Sequence, residues 1–229
     1  MRKAKQQNAQ LLVDAHHDAE FRYTELTVYT PDHPGLFSEI AGAVALAGAN
    51  IVDAKIVTLA DGMALDTLSV LDAADKEFND ESRLVRLKQR VEDVLRGKVR
   101  LAREFEKASK QGLFRKQSPF KVAPRVLIDN NVSDTDTVIE VNGHDRIGFL
   151  YDVTSALTAL GLKIGSAHIT TYGERAVDTF YVRDVFGMKV LHEAKLKQVH
   201  ARLLEALQAR DNEVVVGPST APAKATAAE

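Results

Sequence analysis

The sequence predicts an α+β fold built from two copies of one βαββαβ unit. Three observations carry that expectation. Setting Gly35 against Gly148 brings identical residues together at Thr24/Thr137, Val28/Val141, Asp32/Asp145, Ala43/Ala156, Gly48/Gly161, Ile51/Ile164, Ala54/Ala167, Ile56/Ile169 and Thr58/Thr171. One deleted residue later the match resumes at Asp66/Asp178, Thr67/Thr179, Val70/Val182 and Asp72/Asp184. Leu36, Ile40, Ala43, Val44 and Ala47, and their counterparts Phe149, Val153, Ala156, Leu157 and Leu160, draw one helical stripe that buries a single face. Two copies so far apart mark a duplicated domain, since a solenoid needs shorter and more numerous repeats.

Each element follows in order. The first strand, roughly 23–30 and 136–143, alternates apolar residues such as Leu26, Val28 and Ile139, Val141. A helix spans 35–48 and 148–160 and closes on Gly48 and Gly161, where a left-handed residue is wanted. The second strand is expected at 51–59 and 164–172. A turn at Asp61-Gly62, and another around Gly173, leads as a hairpin into the third strand, 64–71 and 177–184. The second helix carries Leu84, Leu87, Val91, Val94 and Leu95 in one copy, and Leu196, Val199, Leu203 and Leu207 in the other. A last strand is expected at Arg125–Asp129 and at Glu213–Val216. This order gives two ferredoxin-like domains, each an antiparallel sheet with helices on one face, whose free edge or face invites pairing of the copies.

The expected boundaries are an N-terminal linker at 1–21, a first domain at 22–130, a second at 134–216, and a low-complexity, disordered tail at 217–229. The first domain contains a basic connector, 98–124. From Lys98 to Arg125 there are nine Lys/Arg against two Glu, which reads either as a helix with a solvated basic surface or as a docking patch for an acidic partner.

Composition excludes several classes. At 229 residues the chain has room for two ordinary domains. A net charge of −2 gives no global field that recruits nucleic acid or an anionic membrane. The absence of cysteine rules out disulfides and thiolate metal sites and suits a reducing cytoplasm. The longest apolar run, Ile40 to Val52, is broken by glycines and Asn50 and falls well short of the ~20 residues of a membrane span. A cytoplasmic protein with neither nucleic-acid nor membrane partners is the expectation.

The stretch Thr30-Pro31-Asp32-His33-Pro34-Gly35 joins strand to helix with no intervening loop. Asp32 reads as the N-cap, with Pro34 in the first turn, where its missing N–H is no loss. Gly35 lets another group approach the backbone, and the helix start would favour a small carboxylate. Asn50 opens the second strand, and its amide is expected beside the same loop, offering a donor and an acceptor to an amino acid. A tight turn that needs only proline and glycine accounts for the same residues.

Asp-His-Pro-Gly-Leu-Phe followed by Gly-Ala-Asn-Ile resembles the signature of ACT domains, small regulatory modules that bind amino acids, often between two copies. With "DGMALDTL", "PRVLIDN", "TVIEVNGHDR" and "GSAHITTYGERAVDTFYVRD", residues 22–210 are similar to the C-terminal tandem ACT region of bacterial bifunctional PII uridylyltransferase/uridylyl-removing enzymes. That resemblance implies a glutamine sensor attached to a nucleotidyltransferase domain and an HD-type hydrolase domain, acting on the PII signalling protein. It implies a first ligand site at Asp32, His33, Gly35, Leu36, Asn50 and Ile51, and a second at Asp145, Arg146, Gly148 and Phe149. The second loop departs from the motif: Ile147 replaces the proline and Lys163 stands where Asn50 does, so the second copy is expected either to bind less well or to help build the first site.

No catalytic constellation is expected in this chain. Asp134-Thr135-Asp136 has the spacing of a Mg²⁺ pair but lacks a preceding Gly-Ser loop, and reads as a turn. His17-Asp18 and His144-Asp145 read as chance dipeptides, not as an HD metal site. No cofactor is expected, Mg²⁺ belonging to catalytic domains that the chain lacks. The expected partners are glutamine or another small amino acid, those catalytic domains, and PII through them; a homodimer is compatible with the sequence. A freestanding tandem ACT protein, or a scaffold that only dimerises, are the alternatives.

Overall fold

In the computed structural model, residues 10–74, 76–110, 122–172 and 175–211 are described. The strands are β1 (Leu12–Asp18), β2 (Tyr23–Pro31), β3 (Ala49–Thr58), β4 (Met63–Asp72), β5 (Arg125–Asp129), β6 (Thr137–His144), β7 (Lys163–Tyr172) and β8 (Arg175–Arg183). The helices are α1 (Leu36–Leu46), α2 (Glu81–Leu95), α3 (Leu101–Lys110), α4 (Phe149–Ala159) and α5 (Glu193–Asp211). All eight strands form one antiparallel sheet in the order β1-β2-β4-β3-β7-β8-β6-β5. The second half repeats the first in reverse, so the copies are related by an approximate two-fold axis between β3 and β7.

That axis passes between Ala54 and its own counterpart Ala167, which pair across the junction. Along β2, β4 and β8 buried residues alternate with half-buried ones, so helices cover one face. There α1 packs on α2 and α4, and α4 packs on α5. The core runs unbroken beneath them, from Leu26, Ile40, Leu68 and Leu87 to Leu157, Phe180, Leu203 and Leu207.

One expectation fails in an informative way. Arg125–Asp129 does not close the first copy's sheet; it pairs with β6, the first strand of the second copy. The first copy is closed instead by β1, which falls in the segment expected to be a linker and pairs with β2 along its whole length. Each copy therefore has its edge strand at the front, ββαββα, a permutation that fills the same slot. A hairpin between sequence neighbours closes a short loop, whereas a strand returning after the connector closes a long one. Val13 and Ala15 face the core and α2 packs against the strand. The strand expected at Glu213–Val216 and the tail after it lie outside the described residues, as does the turn at Gly173.

Other expectations hold. Gly48 and Gly161 adopt φ of 75° and 73° directly after the helix ends, and Gly62 (φ 79°) turns the β3–β4 hairpin. The connector begins with α3, which is more than a solvated helix: Leu101 and Phe105 are buried, and the Phe105 ring stacks on Tyr151 of α4 with centroids 4.7 Å apart. Gly42 on α1 makes room for this clamp. A Cβ there would lie 2.7 Å from Leu101 Cδ1 and 2.9 Å from Tyr151 Cδ2. Leucine can swing aside but the stacked ring cannot easily do so. Gly42→Val is therefore expected to lower stability by about 1–3 kcal/mol in chemical denaturation, and Gly42→Ala by less.

Candidate functional site

Two equivalent cavities flank the two-fold axis, of about 300 Å³ and about 290 Å³. The first is lined by Asp32, His33, Pro34, Gly35, Leu36 and Phe37 from its own copy, and by Thr158 and Gly161–Ile164 from the other. The second is lined by Asp145–Leu150 of its copy and by Gly48–Val52 of the first. Each helix-start loop thus faces the start of the sister copy's strand at the junction, β3 or β7, because antiparallel pairing at Ala54/Ala167 sends the start of β3 toward the end of β7.

This geometry divides the expected site residues. Asp32, His33, Gly35 and Leu36 lie on the first cavity, whereas Asn50 and Ile51 line the second, with Asp145, Arg146, Gly148 and Phe149. The amide of Asn50 does not sit by its own loop. Lys163, its counterpart, lines the first cavity, so the second copy contributes to the walls of that cavity.

Both helix starts are built on glycine. Gly35 (φ 91°) and Gly148 (φ 81°) are the N-caps in left-handed geometry, and no side chain caps either first turn. Asp32 is not the cap, because the left-handed glycine delays the helix until Leu36; its carboxylate instead accepts a hydrogen bond from Thr58 Oγ1 at 2.7 Å. A Cβ on Gly35 would sit 3.5 Å from the Thr158 methyl of the sister copy. His33 lies 3.9 Å from Glu39, whose carboxyl is pushed up by burial and drawn back by the imidazole. In the second loop Arg146, only 7% exposed, donates from Nη1 to Asp152 Oδ2 at 2.6 Å and lies over the Phe149 ring.

Sequence reasoning missed the polar groups on the strands. Asp66 on β4 and Asp178 on β8 line the first and second cavities and are 0% and 1% exposed. They occupy core-facing positions between Ala64 and Leu68, and between Ala176 and Phe180. Burial raises the Asp66 carboxyl to about 7, with the charge of Asp32 adding to the rise and the backbone amide of Val57 opposing it. Burial likewise raises Asp178 to about 8, the amide of Thr170 opposing and Asp145 adding. The signal was available: a carboxylate that interrupts an apolar alternation at the same place in both copies.

Asp136 is held by Arg183, whose Nε donates to it at 2.8 Å, and His17 lies on β1, 3.5 Å from Glu77. Among the described residues no group of three or more His, Asp or Glu side chains is arranged to hold a metal ion.

Residues 132–208 match the family described as the ACR family N-terminal ACT domain. The chain is 52% identical over 195 residues to the bifunctional uridylyltransferase/uridylyl-removing enzyme of Gluconobacter oxydans, covering 85% of this chain and 20% of that one. The enzyme of the same description from Rhodospirillum rubrum is 46% identical over 230 residues, covering 100% of this chain and 24% of the relative. The chain is an ACT-domain region of the uridylyltransferase/uridylyl-removing enzyme family. In that ACT region the permuted strand order above describes both copies. The Azospirillum brasilense relative, 52% identical over 198 residues, covers 86% of this chain and 21% of its own length. The chain thus spans between a fifth and a quarter of the length of these relatives. Solved structures align loosely; aspartate kinase from Synechocystis gives a TM-score of 0.36 at 15% identity over 79% of this chain and 26% of its own, so the fold rests on the strand order itself.

Proposed function

We propose that this ACT region is the glutamine-sensing module of a PII uridylyltransferase/uridylyl-removing enzyme, setting the balance between uridylylation and deuridylylation of PII in the cytoplasm. The observation that carries the reading is that each cavity has walls from both copies. A ligand bound there favours one arrangement of the copies over others, and its differential affinity is what catalytic domains attached to the region would read. The left-handed glycine at each uncapped helix start suits a ligand carboxylate. No helix among the described residues is long and apolar enough to cross a membrane.

The test is calorimetric titration with a panel of free amino acids. Glutamine is expected to bind with millimolar to submillimolar affinity, about 4–6 kcal/mol, as a sensor of an abundant metabolite should. Gly35→Val is expected to abolish the heat from the first cavity. A folded protein that gives neither heat nor a thermal shift with glutamine at ~10 mM would overturn the reading.

A further inference from the structure

Asp66 and Asp178 hold equivalent places on β4 and β8, interior strands that floor the cavities. Their carboxyl oxygens are closed to water, and none completes a hydrogen bond of ordinary geometry. An unpaired buried carboxyl is unfavourable, and an apolar residue of similar size would suit a central strand better. The chain nonetheless carries one at the same position in both copies, and in both it lines the cavity beside a helix-start loop.

We infer that Asp66 and Asp178 receive the ammonium group of the ligand, so that each cavity selects a free α-amino acid, with its nitrogen on the sheet and its carboxylate toward the helix start. This rests on the amino-acid reading of the cavities and names the groups that decide it. The other titratable groups lining the first cavity are Asp32 and His33 from the loop and Lys163 from β7; Asp145 and Arg146 from the loop line the second. On the strands either side the neighbours are apolar, Val28 and Ile56 beside Asp66, and Val141 and Ile169 beside Asp178. Each aspartate is therefore the carboxyl on the floor of its cavity. Because its oxygens are covered, an arriving ammonium displaces part of the wall, and the walls are the contacts between the copies.

The protonation states follow. With Asp66 raised to about 7 and Asp178 to about 8, both carry a proton for much of the time near neutrality. Ammonium binding favours the carboxylate, so the carboxyl proton leaves to solvent as the ion pair forms. Affinity for glutamine then rises about tenfold at the Asp66 cavity and about fiftyfold at the Asp178 cavity between pH 6 and pH 8, and proton release fades above pH 9.

Titrating glutamine into the full chain in two buffers of different ionisation enthalpy, at pH 6, 7 and 8, reads the released proton directly. Proton release at pH 7, no binding of N-acetylglutamine, and an Asp66→Asn, Asp178→Asn variant that binds at least about tenfold more weakly at pH 8 while melting no lower than the wild type are the expected results. Glutamine binding without proton release, or equal binding by the double variant or by N-acetylglutamine, overturns this assignment and leaves the sensor reading standing. A folded wild type that binds no amino acid of the panel at any pH overturns both.

Discussion

Raising the pH from 5 to 9 in the absence of ligand is expected to destabilise the fold by several kcal/mol, and the Asp66→Asn, Asp178→Asn variant is expected to lose most of that dependence. The unfolded chain releases these protons near 3.8, whereas the folded chain holds them to about 7 and about 8. Between those limits the folded state binds more protons, so unfolding becomes easier as the pH rises. The stability associated with the protonated pair is fully present below about 3.8. It is lost progressively as pH rises and is gone just above 8. Carboxylates with lowered values, such as Asp72 beside Lys76 and Asp136 beside Arg183, work in the opposite sense and only in the acid range. Glu39, whose carboxyl is also pushed up by burial, works in the same sense as the buried pair. The ceiling across the window from pH 5 to 9 is on the order of 3 kcal/mol for Asp66 and on the order of 4 kcal/mol for Asp178. Thermal melts of both proteins at unit pH intervals measure it, and a flat wild-type profile would mean that the carboxyls already have partners.

The copies were legible because their signals are local. A glycine after each helix and an apolar stripe at fixed spacing depend on a few neighbouring residues, and both recur at Gly48/Gly161 and Ile40/Val153. The edge strands were harder. Leu12–Asp18 and Arg125–Asp129 are both short, and either could fill the first copy's open slot. Loop closure decides between them, and only the pairing of β1 with β2 displays the result. Two histidines and two aspartates also hid the alternation at Val13 and Ala15 that puts β1 on the core. The candidate site was half legible for a related reason. Its loops stand out through proline and glycine, but which strand faces which loop is set by the Ala54/Ala167 pairing, a contact between distant segments. Hence Asn50 was placed with the wrong loop. Asp66 and Asp178 look like ordinary strand polars until burial shows the side of the sheet on which they lie.

That same pairing makes the second large effect. Only three residue pairs join β3 to β7, Asp53 with His168, Ala54 with Ala167 and Lys55 with Ser166, and the central alanines are 2% and 0% exposed. The small side chains let α1 and α4 come together over the junction, while Asp53 and His168 pair at 2.7 Å on exposed side chains. Ala167→Glu would put a charge, and far more volume, into a closed site with no partner. A loss above about 4 kcal/mol is expected, the range of a buried unpaired charge. Each copy keeps its own four strands and helices, so the damage should concentrate at the junction, and denaturation should separate into two steps. Both cavities should fail together, since each takes a wall from each copy. Leu203→Ala on α5, remote from the junction, is the contrasting variant: it should cost about 2–5 kcal/mol through the cavity it leaves, yet spare glutamine binding wherever the protein stays folded. A single unchanged melting transition and wild-type glutamine affinity for Ala167→Glu would show that the two copies do not depend on this junction.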